Sequence, residues 1–171
     1  MQLTRRTVLL SSMAATIPDR AMAAGVSLPK PQGKVIFTVS GKIGAFNAGD
    51  TAEFDRAMLE SFGYSSFTTW TPWYNDPVTF SGLPMAKLMH VLRATGTSVL
   101  AIALNDYETR IPVSDFAQFN VLLAIKRNGQ YMPVSDKGPL FIVYPFDSNP
   151  QLQQDKFYMR SVWQVSGLDV R

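Results

Sequence analysis

Ala103-Leu-Asn-Asp-Tyr107, Arg110-Ile-Pro112 and Asp136-Lys-Gly-Pro-Leu-Phe-Ile-Val-Tyr-Pro145 decide how this chain is read. In each region an apolar run of strand length meets residues that favour turns: residues 99–104 run into Asn105-Asp106, and Gly138-Pro139 leads into residues 140–144. A rigid sheet whose strands end in polar loops presents those loops at one rim, where binding and catalytic residues concentrate. Residues 105–107 and 136–138 are therefore the first candidates for a functional surface.

Outward from there, residues 107–112 return as a short strand, and Ser114 heads a short helix over 115–119. Residues 121–126 read as another buried strand, followed by Asn128-Gly129. That pair is the strongest hairpin signal in the chain, because a type I′ turn needs two residues at positive φ. Upstream, residues 35–39 form a strand ended by Ser40-Gly41 and the loop 44–49, and Asp50 caps a short helix carrying Phe54, Met58 and Leu59. Residues 65–71 read as a strand running into an aromatic loop at 71–77. Phe80-Ser-Gly-Leu-Pro84 is expected to be a tight turn into a helix with Pro84 in its first turn, Leu88, Val91 and Leu92 facing inward and Gly96 ending it. Downstream, residues 145–150 are loop, 157–165 alternate loosely, and 162–170 close the chain as a strand. Strand exceeds helix, with two or three short helices, so the fold class is α+β with a mixed sheet.

The chain has 171 residues, 46% of them apolar, enough for one domain with a full core. Residues 1–23 read as an export signal: Arg5 and Arg6, an apolar stretch over 8–17, and Ala21-Met22-Ala23 as a small-x-small cleavage site. The adjacent arginines also suit a twin-arginine signal, the route for proteins that fold before export. The apolar stretch is too short to span a bilayer, so the mature protein is expected to be periplasmic or secreted, with no membrane span. Residues 24–33, with Pro29 and Pro31, are expected to be an extended lead-in, and 34–171 the domain. Loss of residues 1–23 would remove Arg5, Arg6 and Arg20 against Asp19, so the formal charge of +3 falls to about +1. That balance argues against a nucleic-acid partner. With no cysteine, disulfides and thiolate metal sites are excluded.

Several residues carry chemistry worth weighing. His90 is the single histidine and sits in mid-helix, where packing is the ordinary role; one His and no Cys leave no zinc site. Trp70, Trp73 and Tyr74 either plug the end of the core or make a stacking platform for a flat ligand, with Thr68, Thr69 and Thr71 to supply hydrogen bonds. Asn105-Asp106-Tyr107 suits a turn, and Arg160 lies among Phe157, Tyr158 and Trp163 as a stacked guanidinium or an anion clamp. No catalytic residue can be assigned.

Together these stretches resemble the molybdopterin-binding domain of the sulfite-oxidase-like oxidoreductases. The matching pieces are Phe80-Ser-Gly-Leu-Pro-Met85 before a leucine-bearing helix, Ala103-Leu-Asn-Asp-Tyr107 with Ile111-Pro112, Leu122-Leu-Ala124 into Asn128-Gly129, Asp136-Lys-Gly-Pro-Leu140 into Val143-Tyr-Pro145, and Arg160-Ser-Val-Trp163. They cover roughly residues 35–170 in consistent order. The resemblance implies a compact α+β fold whose rim loops cradle a pterin pyrophosphate and molybdenum. It also implies a cysteine ligand in the strand and loop at 65–73, where this chain has Ser65-Ser-Phe-Thr-Thr-Trp-Thr-Pro-Trp73. Thr hydroxyls are poor substitutes for a thiolate. The expectation is therefore a domain without molybdenum redox catalysis, binding a small anionic or aromatic ligand, or a periplasmic protein partner. Its binding rim would comprise Thr69, Trp70, Thr71, Trp73, Asn105, Asp106, Tyr107, Lys137, Gly138 and Arg160, with Lys137 and Arg160 holding an anion. The alternative is an active molybdopterin-dependent oxidoreductase with a non-cysteine metal site.

Overall fold

A computed structural model describes residues 25–171. The expected export signal, residues 1–23, and Ala24 lie outside the described residues. In chain order the strands and helices are β1 (Val26–Ser27), β2 (Phe37–Gly41), β3 (Ala45–Phe46), β4 (Ala52–Phe54) and α1 (Arg56–Ser61). Next come β5 (Ser65–Thr69), β6 (Val78–Pro84), α2 (Met85–Val91), β7 (Ser98–Ala103), β8 (Glu108–Pro112) and α3 (Ser114–Gln118). The chain closes with β9 (Leu122–Arg127), β10 (Gln130–Tyr131), β11 (Phe141–Val143), α4 (Asp155–Arg160) and β12 (Val165–Val170), with short 3₁₀ turns between β10 and α4.

The fold mixes α and β, with far more strand than helix, and divides its strands between two five-stranded sheets and one small parallel pair, β1 with β3. One sheet runs β4-β2-β12-β7-β8; its β2–β12 pair is parallel and the rest antiparallel. The other runs β10-β9-β6-β5, with β11 beside β10 along the same flank of β9, and is antiparallel throughout. A single mixed sheet therefore gives way to two sheets. The closing strand β12 lies between β2 and β7, so the last segment of the chain occupies the middle of its sheet. β9 reads as a continuous apolar run because residues 122–125 are all buried, and the fully buried β11 reads so for the same reason. Asn128 and Gly129 take φ of 47° and 79°, the type I′ geometry their sequence predicts between β9 and β10. Phe37, Phe54, Phe80, Phe116, Phe119, Phe141, Tyr144, Phe146 and Phe157 form the aromatic part of the core.

Four local expectations differ from the structure. The helix expected from Asp50 begins after Asp55, and Phe54 sits in β4 opposite Phe37 of β2. Asp55 takes the cap because it finds three donors. Its Oδ1 accepts from the Met58 N–H at 2.9 Å and its Oδ2 from the Gln32 and Gly33 N–H groups at 2.8 Å each. Phe80 to Pro84 is not a turn but the end of an inner strand, β6, where Pro84 occupies the last position before α2. Ser114 makes no cap bond and is itself the first residue of α3. The loosely alternating segment 157–165 is helix as far as Arg160; α4 has six residues and one buried side chain, Phe157, so it shows no helical period.

The backbone donors at Asp55, Met58 first and then Gly33, hold its carboxyl below the usual carboxylate range. A depressed folded pKa means that the contribution is present above the unfolded value of about 3.9 and is lost as pH falls through the folded one. Asp55→Ala should therefore cost about 2 kcal/mol at neutral pH, the upper end for a helix cap, because it also frees the Gln32–Gly33 tie. The deficit should shrink as pH falls through the unfolded value of about 3.9 and on through the lower folded one. Urea unfolding of both proteins across that range checks it; a deficit independent of pH would show that the charge plays no part.

Candidate functional site

The β7–β8 hairpin holds three of the candidate residues, Asn105, Asp106 and Tyr107, by local hydrogen bonds. Asp106 turns the chain at φ 64°. The Asn105 amide oxygen accepts from the Tyr107 N–H at 3.2 Å, and the Asp106 N–H donates to the Ala103 carbonyl at 3.2 Å. The Tyr107 hydroxyl then reaches across to donate to the Met159 carbonyl at 2.9 Å, tying the hairpin to α4. Beyond α4, the Ile142 N–H donates to the Val162 carbonyl at 2.8 Å, and Phe141 and Trp163 form an isolated antiparallel bridge. The Leu104 N–H donates to the Gln164 carbonyl at 2.9 Å. These bonds bring the segment after α4 between the two large sheets and beside the hairpin.

Trp73, from the loop after β5, completes the arrangement. Its ring lies 5.4 Å from that of Trp163 at 86° and 6.4 Å from that of Tyr158 at 85°. Such edge-on contacts are the ones aromatic quadrupoles favour. Behind it stand Phe141 at 5.4 Å and Phe146 at 6.1 Å. The result is a cleft of about 320 Å³ walled by Trp73, Tyr107, Tyr158 and Trp163. Asn105, Met159, Ser161 and Val162 complete the lining, which includes no charged side chain. Its volume is at the small end of the range for ligand sites, and the concave, aromatic lining is of the usual kind. Leu104, Tyr107 and Met159 are exposed beside it, at 53%, 43% and 57%.

Of the residues expected to form the rim, Trp73, Asn105 and Tyr107 meet in this cleft. The others lie outside its lining. The Thr69 hydroxyl accepts from the Asp147 N–H at 3.0 Å and donates to the Trp70 carbonyl, while the Trp70 N–H donates to the Asp147 carboxylate. Thr69 and Trp70 thus fasten the end of β5 to the 3₁₀ turn Phe146–Ser148. Thr71 is buried, and its hydroxyl has no partner among the described residues. Asp106 stands at the exposed hairpin tip. Gly138 is buried where a Cβ would run into the Met132 carbonyl, so its role is close backbone approach. His90 is exposed near the end of α2 and does not line the cleft.

Neither cation expected to hold an anion is free. Arg160 Nη1 donates to Asp115 Oδ2 at 2.8 Å, the same oxygen that accepts the Tyr144 hydroxyl at 2.8 Å. Burial, and then Asp115, push the Tyr144 phenol far above its usual range, so it stays a neutral donor. Lys137, at φ 64°, lies over the Tyr74 ring at 4.5 Å and 3.7 Å from Asp136. Asp136 also pairs with Arg127 at 2.6 Å, and that hydrogen bond holds its carboxyl below the usual carboxylate range. Among the described residues no group of three or more His, Cys, Asp or Glu side chains could hold a metal ion.

The chain matches no family model and no curated protein. Among the described residues, no helix is long and apolar enough to cross a membrane.

The five cleft residues missing from the expected rim, Tyr158, Met159, Ser161, Val162 and Trp163, are nearly consecutive. Their signal in the sequence is the density of aromatics around Arg160, which draws attention to the guanidinium rather than to the rings beside it. Arg160 itself turns inward to Asp115, and its neighbours supply the cleft.

Proposed function

We propose that this chain is a binding module on the sulfite-oxidase-like molybdopterin-binding fold, exported from the cytoplasm, that takes a small aromatic molecule and performs no molybdenum redox chemistry. The family reading is supported by the number and order of the matching motifs over residues 35–170. Two of them, Asn105 to Tyr107 and Arg160 to Trp163, supply residues to one cleft. The observation that carries the functional reading is that cleft: four aromatic rings around about 320 Å³, with no ion in the lining.

The donor set does not fit a metallopterin. The family's ligand is a thiolate, and the chain has none. The buried hydroxyls nearest that place in the sequence are Thr69, which is bonded to the Asp147 N–H, and Thr71, a neutral hydroxyl where the family places a thiolate. Lys137 and Arg160, which would meet the pterin phosphate, are engaged with carboxylates. Aromatic walls instead supply apolar contact area with a few polar handles, as a small-molecule site does.

Metal analysis and an absorption spectrum decide between this reading and an active oxidoreductase with a non-cysteine metal site. Protein purified from an exporting host that makes the pterin should contain no stoichiometric molybdenum and show no pterin absorption. Stoichiometric molybdenum with bound pterin would overturn the proposal.

A further inference from the structure

The polar atoms of the cleft point to a narrower ligand class. The Tyr107 hydroxyl donates its proton to the Met159 carbonyl, and the Ser161 hydroxyl donates to the Phe157 carbonyl at 3.0 Å. The Asn105 amide oxygen is occupied by the Tyr107 N–H. What remains unpartnered among the described residues is the Asn105 NH₂ group and the indole N–H groups of Trp73 and Trp163, all donors, together with the Tyr158 hydroxyl. The cleft thus offers free N–H donors at Asn105, Trp73 and Trp163, beside the hydroxyl oxygens of Tyr107, Tyr158 and Ser161, which can still accept.

Its electrostatics disfavour an anion. The nearest lysine ammonium, that of Lys137, is 5.7 Å from the Trp163 ring centroid and is shared with Asp136 and the Tyr74 ring. Arg160 is committed to Asp115, and Asp106 stands unpaired at the hairpin tip. An anion in the cleft would lose its water against aromatic walls without a free counter-ion and would face the negative side of the rings, whereas those same ring faces would partly repay a cation. A planar apolar body fills the space between the rings at no such cost.

We propose that the cleft selects an uncharged planar aromatic molecule carrying a hydrogen-bond acceptor such as an amide or ketone carbonyl, over an anion of the same shape. This rests on the reading of the cleft as a binding site. The acceptor meets the Asn105 NH₂ group or an indole N–H, and the ring system packs against Trp73 and Trp163.

Four probes with one ring system separate the possibilities by calorimetric titration of the full chain. They are 1-naphthamide, 1-naphthoate, 1-naphthyltrimethylammonium and 1-methylnaphthalene. 1-Naphthamide should bind about tenfold more tightly than 1-naphthoate, reflecting the desolvation of an unpaired charge, whereas the ring faces offset that cost for 1-naphthyltrimethylammonium. It should exceed 1-methylnaphthalene by about fivefold, the value of one net hydrogen bond. Asn105→Ala, which removes the NH₂ group, should abolish that second margin between 1-naphthamide and 1-methylnaphthalene. Trp163→Leu should weaken all four probes.

1-Naphthoate that binds as well as 1-naphthamide, or an Asn105→Ala protein that keeps the full margin, overturns the ligand class and leaves the cleft as the site. If no probe binds, or if Trp163→Leu weakens none, the cleft itself is the wrong site and both readings fall.

Discussion

Gly82→Ala lowers the stability of the folded chain by about 3 kcal/mol or more, a large share of the roughly 5–15 kcal/mol typical of a domain. Gly82 lies in β6 at the irregular step between Ser81 and Gly82, where the strand register against β9 shifts. A Cβ there would run into the Leu123 carbonyl and come within 2.8 Å of the Ala124 Cα and 2.9 Å of the Ile125 backbone nitrogen. All three are backbone atoms of a buried strand paired on both flanks, so none can give way as a side-chain tip would. Gly129→Ala is the control. Gly129 has φ 79° and open space around it. Its cost is therefore conformational and about 1 kcal/mol. Urea unfolding of the two variants separates crowding from backbone preference. Equal losses would mean that β6 and β9 can move apart.

The second large effect belongs to Asp115. One oxygen of this buried carboxylate accepts from both Tyr144 and Arg160, and so joins α3 to the loop after β11 and to the end of α4. Asp115→Ala leaves a buried hydroxyl without an acceptor and a guanidinium without its counter-ion. Breaking a fully buried pair costs about 3–5 kcal/mol. The Arg160 side chain is 25% exposed. That exposure sets the expectation at the lower end, about 3 kcal/mol. Tyr144→Phe, which removes one donor and keeps the ion pair, should cost about 1 kcal/mol. Chemical denaturation of the two variants and of the double mutant gives the coupling between them. Additive losses would show that the three side chains do not act as one network.

This network bears directly on the site. Arg160 has the residue type and surroundings of an anion clamp, and its type alone does not reveal that a carboxylate 45 positions earlier already holds it. With its guanidinium turned to Asp115, the segment after it places Ser161, Val162 and Trp163 along the cleft. A salt bridge thus positions an uncharged binding surface. Lys137 follows the same logic through Asp136.

Local chemistry made much of the fold legible in the sequence. Alternating turn and apolar signals place β7, β8, β9 and β11 within a residue or two, and Asn128-Gly129 fixes the turn after β9, because each depends on neighbours in the chain. Absence of cysteine is likewise readable at once, and it decides what metal chemistry the chain can offer. Other features depend on distant partners. Asp55 rather than Asp50 caps α1 because the lead-in at Gln32 and Gly33 folds back onto it. β6 is a strand because β5 and β9 flank it, which overrides the turn tendency of Ser-Gly and Pro. The cleft needs Trp73, the Asn105 to Tyr107 turn and the segment after α4, joined by hydrogen bonds from Tyr107 to Met159 and from Ile142 to Val162. Sequence alone determined which residue types could meet a ligand, since side-chain chemistry is local. Tertiary structure decided which of them meet it, because burial and pairing between distant segments consume some of those groups and leave others open.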